Sequence, residues 1–269
     1  MAPISIDGEE ITGATIDGEE VQEITVDGQV AYTAGPEIPD SALYYWPMSE
    51  GSGTSAAESV NGADMSLNGL SWVSGDWEGG FALDGDGADD DATAPAYQMG
   101  SARDGDGWAY EFTIQTTADG RDTIIDAPEG AFSADNHYSI DLGNESAGDL
   151  SWFEVDDGGD NYLGVYTPGG VLNDGNKKHV VCNAPTQSTS DWEVYINDSA
   201  VSLTEGPAGS TGGTLGTTSD FTVETYFFNQ HPNSAGGGYV DATLDAPMFH
   251  HRGLSRSEIT DRYNAQPWS

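Results

Sequence analysis

From residue 42 onward, apolar and polar residues alternate in short stretches that are separated by Gly, Asn, Asp and Pro. Successive side chains of a β-strand point to opposite faces, so this period of two predicts strands rather than helices. Short, regularly spaced strands are typical of an antiparallel sandwich, and we expect an all-β, two-sheet antiparallel jelly-roll fold. The predicted strands are Ala42–Pro47, Leu70–Val73, Phe81–Leu83, Trp108–Thr116, Thr123–Asp126, Tyr138–Leu142, Leu150–Val155, Tyr162–Tyr166, His179–Asn183, Trp192–Ile196, Phe221–Phe228 and Tyr239–Phe249.

Near the C-terminus the pattern changes and predicts one helix. Ser255 and Glu258 have the spacing of a capping box and lead into Ile259–Tyr263. In this motif the Ser hydroxyl and the Glu carboxylate each accept a hydrogen bond from a backbone N–H in the first turn of the helix. We expect this helix to be the only regular one in the sandwich.

A short repeat opens the chain in three copies, Ile4–Ile11, Ala14–Val21 and Ile24–Val30. Each copy places Asp-Gly between β-branched residues, which is a strong signal for a tight β-hairpin. Such a segment buries too little surface to fold alone, and open strand edges pair readily with another chain.

The repeats divide the chain into three predicted parts. Residues 1–34 form a β-hairpin module for attachment or oligomerisation, 35–41 form a stiff linker, and 42–269 form the sandwich. The module is expected to build a homo-oligomer (trimer or pentamer) or to dock on another protein. The alternative is that it folds back onto its own sandwich.

Charge narrows the possible partners. The chain has 7 Lys and Arg against 46 Asp and Glu, a net charge of −39, and residues 1–102 contain no basic residue. This excludes a nucleic-acid binder and disfavours docking on anionic lipid. Disorder is one interpretation of such acidity. The 10% aromatic content favours the other, a folded protein in molar salt, where the Debye length is about 3 Å.

Three further features bear on the environment of the protein. No apolar stretch is long enough for a transmembrane helix, so no membrane insertion is expected. The first ten residues show no secretory signal, which predicts synthesis and folding in the cytoplasm. The lone cysteine, Cys182, lies in an apolar run and is expected to be a buried small hydrophobe.

Four motifs in the sandwich carry a family resemblance. They are Leu43–Thr54, Gly79–Gly85, the pair Lys178–Val181 and Trp192–Asn197, and Gly238–Asp241 with Arg252–Ile259. On these, residues 42–268 resemble a laminin-G-like domain of the concanavalin A-like lectin/glucanase superfamily. Two departures are Asp84, which comes one residue early, and Asp198, where that family has Gly. The resemblance implies the sandwich fold and does not by itself imply a function.

The opening repeats resemble the Asp-Gly hairpins of virion surface proteins from haloarchaeal tailed viruses. With the acidity, this resemblance implies a non-enzymatic virion surface protein (tail fibre, spike or capsid turret) that adheres to a host-surface glycan or an S-layer glycoprotein. Other virion proteins would be bound through residues 1–34. The alternatives are a cell-associated haloarchaeal lectin or structural module and, more remotely, a glycosidase.

The glycosidase alternative lacks its motif. Glucanases of the superfamily carry E-x-D-x-x-E on one strand, with both acids on one face. The only E-x-D here is Glu154–Asp156, and Gly159 stands where the second Glu belongs. The five histidines are scattered and are expected to be structural, so we predict that the protein is not an enzyme. They are His137, His179, His231, His250 and His251.

Two groups of residues are candidate binding sites. Asp84, Asp86 and Asp89 place oxygens at intervals around glycines, which suits a structural Ca²⁺ ion. A solvated acidic surface is the alternative.

Glycans stack on aromatic rings, and two candidate glycan-binding positions have such rings. Trp77 lies in a predicted turn, and a second set follows an Asp-rich turn. That set is Asn161, Tyr162 and Tyr166. We expect Trp108, Trp152 and Trp192, which lie in predicted strands, to belong to the core.

Overall fold

The computed structural model divides the chain into two compact units, Met1–Asp40 and Ser41–Ser269. Before residue 38 only the backbone of the paired strands is described. The described residues are 5–6, 9–10, 15–16, 19–20, 23–26, 29–33, 38–75, 80–96, 107–128, 137–156, 162–206, 210–216, 224–229 and 238–265.

The first unit contains three separate two-stranded antiparallel sheets, one for each sequence repeat. They are β1 (Ser5–Ile6) with β2 (Glu9–Glu10), β3 (Thr15–Ile16) with β4 (Glu19–Glu20), and β5 (Glu23–Val26) with β6 (Gln29–Thr33). The register repeats, because Ile6 pairs with Glu9 as Ile16 pairs with Glu19 and Val26 with Gln29. Two-stranded sheets are marginally stable on their own in water.

The second unit is the predicted antiparallel sandwich. Eight strands form one sheet: β7 (Ala42–Tyr45), β10 (Ser71–Ser74), β11 (Phe81–Asp86), β13 (Trp108–Thr116), β18 (Lys178–Ala184), β19 (Glu193–Ile196), β20 (Ser199–Val201) and β23 (Asp241–His250). Their order is β10-β11-β23-β13-β18-β19-β20, and β7 also pairs with β23.

Nine strands form the other sheet: β8 (Ser55–Ala56), β9 (Met65–Asn68), β12 (Asp91–Ala94), β14 (Asp122–Pro128), β15 (His137–Leu142), β16 (Leu150–Val155), β17 (Tyr162–Tyr166), β21 (Thr204–Glu205) and β22 (Thr225–Phe227). Their order is β21-β17-β16-β15-β14-β22-β12-β9-β8.

The core consists of side chains from the inner faces of both sheets. Trp108, Trp152 and Trp192 all belong to it, as predicted, and the rings of Trp152 and Trp192 stack with centroids 4.4 Å apart. Cys182 is also buried in this core. Aromatic side chains bury roughly 150 to 250 Å² each, so they supply much of the hydrophobic stabilisation of this core.

The C-terminal helix, α1 (Arg256–Asn264), confirms the predicted capping box, because Ser255 Oγ accepts from Glu258 N and the Glu258 carboxylate accepts from Ser255 N. Within the described ranges it is the only α-helix, alongside a short 3-10 turn at Thr189–Asp191. Ile259 packs with Leu254, Ala109, Val181 and Tyr195 in a small second cluster. Among the residues described, no helix is both long and apolar enough to cross a membrane.

A buried ionic cluster ties α1 to the sandwich. Glu111 is fully buried and accepts hydrogen bonds from His179 Nε2 at 2.7 Å, His250 Nε2 at 3.0 Å and Arg262 Nε at 2.5 Å. Burial by itself raises the pKa of Glu111, but the charge of Arg262 and the two histidine hydrogen bonds hold that pKa well below its usual range. Two of the histidines that seemed scattered in sequence therefore share one structural carboxylate.

Candidate functional site

The outer face of the nine-stranded sheet carries polar side chains that are buried. Along β15, Tyr138, Ile140 and Leu142 belong to the core, so the alternate residues His137, Ser139 and Asp141 point to the other side. Each of these three is at most 1% exposed. A sheet face turned away from the core is normally solvated, and buried polar groups cost free energy unless they are hydrogen-bonded.

Strand register aligns these residues in rows across four strands. One row consists of Thr123, Asp141, Ser151 and Tyr166, taken from β14, β15, β16 and β17 in order. The neighbouring row contains Asp126, Ser139, Phe153 and Gly164. Side chains directly opposite one another on antiparallel strands lie within about 5.5 Å at Cβ, so each row is a continuous surface.

Asp141 is the central residue of the first row. Its Oδ1 accepts hydrogen bonds from Ser139 Oγ at 2.6 Å and Thr123 Oγ1 at 3.1 Å. Its Oδ2 lies 3.9 Å from the guanidinium nitrogen of Arg121. Burial raises the pKa of Asp141 to about 6. The nearby charge of Asp126 also raises this pKa, whereas the hydrogen bond from Ser139 lowers it. The carboxyl group therefore gains and loses a proton near neutral pH.

Several buried polar atoms around Asp141 are unpaired. No hydrogen-bond partner in the described part of the chain reaches Asp141 Oδ2, Arg121 Nε or Ser151 Oγ. The same holds for Ser210 Oγ, which lies 2.8 Å from where a Cβ on Gly164 would stand. Folded proteins contain few such atoms, and each usually has a specific explanation. Arg121, Asp141 and Ser151 offer one donor, one acceptor and one hydroxyl, a set that a polyhydroxylated ligand could satisfy.

A second ion pair lies beside this row. His137 Nε2 and Asp126 Oδ1 are 2.8 Å apart, and both side chains are buried. On the same face, the rings of Phe153 and Tyr162 stack with centroids 5.6 Å apart. Burial, and secondly the charge of Asp141, raises the pKa of the Tyr162 phenol.

The predicted glycan-binding residues fall partly within this surface. Tyr162 and Tyr166 lie on its β17 edge and are half-buried. Trp77 and Asn161 lie outside the described residues. Sequence reasoning missed Arg121, Asp141 and Ser151. The available signal was the run of alternate polar residues in β15, although the same alternation is expected of any strand with one solvated face.

The predicted calcium ligands do not all come together. Carboxylate oxygens of Asp86, Asp89 and Asp90 lie within 4.8 Å of one another. Asp84 stands apart from this group, because its Oδ1 accepts a hydrogen bond from Thr243 Oγ1 at 2.8 Å. The Asp86 carboxylate also accepts from the backbone N–H of Ala88, and that of Asp90 from the backbone N–H of Asp86. Calcium binding stays a prediction, with Asp90 in the place of Asp84.

Glu154 of the incomplete glucanase motif points into the core. Its Oε1 accepts hydrogen bonds from Trp152 Nε1 at 2.8 Å, Tyr110 OH at 3.0 Å and Trp108 Nε1 at 3.1 Å. This carboxylate fixes three aromatic rings, and it is on the opposite side of the sheet from Asp141. It therefore belongs to the structure of the core rather than to the outer-face surface.

No protein-family model and no curated protein sequence matches this chain. Among solved structures, the botulinum neurotoxin serotype D binding domain matches with a TM-score of 0.58 at 12% identity, over 84% of this chain and 52% of that one. The binding domain of Paraclostridial Mosquitocidal Protein 1 gives a TM-score of 0.60 at 12% identity over the same shares. Trypanosoma rangeli sialidase in complex with sialic acid gives 0.54 at 14% identity, over 90% of this chain and 35% of that one.

These likenesses confirm the β-sandwich and are compatible with a concanavalin A-like fold. At such identities they show the fold alone. The chain spans about half the length of the two binding domains and about a third of the sialidase.

Proposed function

We propose that the sandwich is a carbohydrate-binding domain used for adhesion, and that the sugar binds on the outer face of the nine-stranded sheet around Asp141. The observation that carries this proposal is the set of buried, unpaired polar atoms on Arg121, Asp141 and Ser151. Leaving one buried polar atom unpaired costs about 1 to 3 kcal/mol. A protein that retains several of them on one surface has a reason to do so, and sugar hydroxyls both donate and accept.

Two further features support a sugar as the ligand. Binding sites combine aromatic side chains with a few fixed polar groups that set orientation, and Tyr162, Tyr166 and Phe153 border the polar row. The structural neighbours include two binding domains and a sialidase in complex with sialic acid.

Ser151→Ala tests the site directly. The hydroxyl is buried and makes no hydrogen bond among the described residues, so its removal should not lower the free energy of unfolding and should raise it by up to about 1 to 3 kcal/mol. Binding to a glycan array in molar salt should fall. The matched control is Ser71→Ala, an exposed position on the other sheet. If Ser151→Ala binds as the unaltered protein does, the polar row holds ordered water rather than a sugar.

The proposal extends to a place of action, the virion surface of a halophilic archaeal virus. Its support is the net charge of −39 and the three hairpins of identical register, whose open edges suit pairing with another chain. We propose that residues 1–34 assemble a homo-oligomer (trimer or pentamer) or dock on another virion protein. Light scattering in molar salt on the full chain and on a chain lacking 1–34 tests this. A monomeric full chain would contradict the homo-oligomer and leave docking on another virion protein, and antibody labelling of purified virions tests the location.

The alternatives remain a cell-associated haloarchaeal lectin and a glycosidase. A single observation favours the second: Asp141, with its pKa near 6, suits a general acid, and Asp126 is a second carboxylate on the same face. Incubating the protein with the glycans it binds, and measuring release of reducing sugar, separates an enzyme from a binding domain. Binding without release identifies the latter.

A further inference from the structure

We infer that the outer-face site selects uncharged saccharides and rejects those that carry a carboxylate, such as sialic acids. This inference rests on the proposed function and adds the ligand class. It is drawn from the charges that face the site rather than from the structural neighbours. Sialic acid, which is bound in the sialidase structure, is a ligand that the outer-face site would exclude.

The described ionisable groups around the site are unfavourable for an anion. Asp141 and Asp126 are both buried carboxylates, and Asp126 is paired with His137. Arg121 supplies the one guanidinium of this group, and Asp141 already lies 3.9 Å from it.

Carboxylates are bound well by a guanidinium whose forked donors are free to pair with both oxygens. Here a sugar carboxylate would compete with Asp141 for Arg121 and would add a third negative charge to a buried site. Like charges at short range in a low dielectric repel strongly. Molar salt weakens this repulsion little, because buried pairs are screened much less than exposed ones.

An uncharged sugar fits the same groups without any charge compensation. A hydroxyl can donate to Asp141 Oδ2, and a ring or hydroxyl oxygen can accept from Arg121 Nε. Ser151 Oγ can take either role.

The extent of the site also favours a small hydroxylated group. A Cβ on Gly164 would lie 3.0 Å from Phe153 Cδ1 and 2.8 Å from Ser210 Oγ, so the space above that glycine is filled. The polar surface that remains is the row of Asp141, Ser151 and Tyr166. This row supplies one carboxylate and two hydroxyls.

The experiment measures binding of the full chain, in molar salt at pH 8, to an array of matched glycan pairs that differ only in a terminal sialic acid. We expect the uncharged member of a pair to bind at least tenfold more tightly. Equal or tighter binding of the sialylated member would overturn the inference and leave the proposed function intact. If no glycan binds, both fail.

One variant separates charge selection from a steric effect. Asp141→Asn removes a negative charge and keeps the size and Oδ1 acceptor of the side chain. If charge selects the ligand, D141N should reduce the ratio of affinities for the uncharged and the sialylated member at least threefold. Asp174→Asn, which alters an exposed carboxylate elsewhere, should leave this ratio unaltered. An unaltered preference in D141N would overturn the charge argument. Circular dichroism of each variant confirms that it is folded.

Discussion

Asp141→Asn should make the protein more stable at neutral pH, although it removes a buried charged group. In the folded protein, burial raises the pKa of Asp141 to about 6, whereas the unfolded value is near 3.8. Between these values the folded state binds more protons than the unfolded state. The contribution of Asp141 to stability is therefore full below pH 4 and is lost as the pH rises through 6.

The size of the effect follows from the shift. A displacement of about 2 pKa units corresponds to about 3 kcal/mol, since one unit equals about 1.4 kcal/mol. Asn retains an Oδ1 that can accept from Ser139 and Thr123, and it does not ionise. We expect the free energy of unfolding of D141N to exceed that of the unaltered protein by about 2 to 3 kcal/mol at pH 8. The difference should fall towards zero at pH 4.

Urea unfolding at fixed molar salt, measured from pH 4 to pH 8, provides the assay. The control is Asp174→Asn, where the hydrogen bonds from Lys178 and Asn176 lower the pKa of an exposed carboxyl to about 2. The surface pair of Asp174 and Lys178 should contribute less than about 1 kcal/mol to stability, so Asp174→Asn should lower the free energy of unfolding slightly, where D141N raises it. A D141N variant that is no more stable than the unaltered protein at pH 8 would refute the reasoning. So would a gain that does not change with pH.

Three other predictions concern stability. Glu111→Gln should lower the free energy of unfolding by about 3 to 5 kcal/mol at pH 8, because it removes the buried negative charge that Arg262, His179 and His250 all contact. In urea titrations this loss should shrink in acid, where the depressed pKa of Glu111 is approached, and a loss below about 1 kcal/mol would contradict the cluster's role. Dialysis from molar salt into dilute buffer should lower the melting temperature, because the net charge of −39 is then no longer screened; an unaltered melting temperature would argue against a halophilic protein. Millimolar Ca²⁺ should raise the melting temperature, and this increase should disappear in Asp89→Asn and persist in Asp84→Asn. Identical melting curves with Ca²⁺ and with chelator would contradict the calcium prediction.

The sequence by itself determined the elements whose signal is local. Along Trp108–Thr116 the alternate residues Trp108, Tyr110, Phe112 and Ile114 are apolar, and all four are found in the core. The capping box at Ser255 and Glu258 likewise predicted where the helix begins. In both cases the interactions that stabilise the element lie within a few residues of it, so periodicity and residue type suffice.

Short strands were determined by their neighbours. Ser55–Ala56 and Thr204–Glu205 have two residues each, too few for any period, and they become strands because β9 and β17 offer open edges. Met65–Asn68, Asp91–Ala94 and Ser199–Val201 were missed for a similar reason.

The candidate site was decided by tertiary structure alone. Arg121, Asp141 and Ser151 belong to separate segments, and only the register of β14, β15 and β16 brings them together. In the same way His179 and His250 meet at Glu111 from strands that are far apart in sequence and lie on either side of β13. Alternation tells which side chains share one face of a strand, but not which strand lies beside it or whether that face is covered. Burial of the outer face is what raises the pKa of Asp141 and leaves its oxygen unpaired, and burial is a property of the assembled sheets.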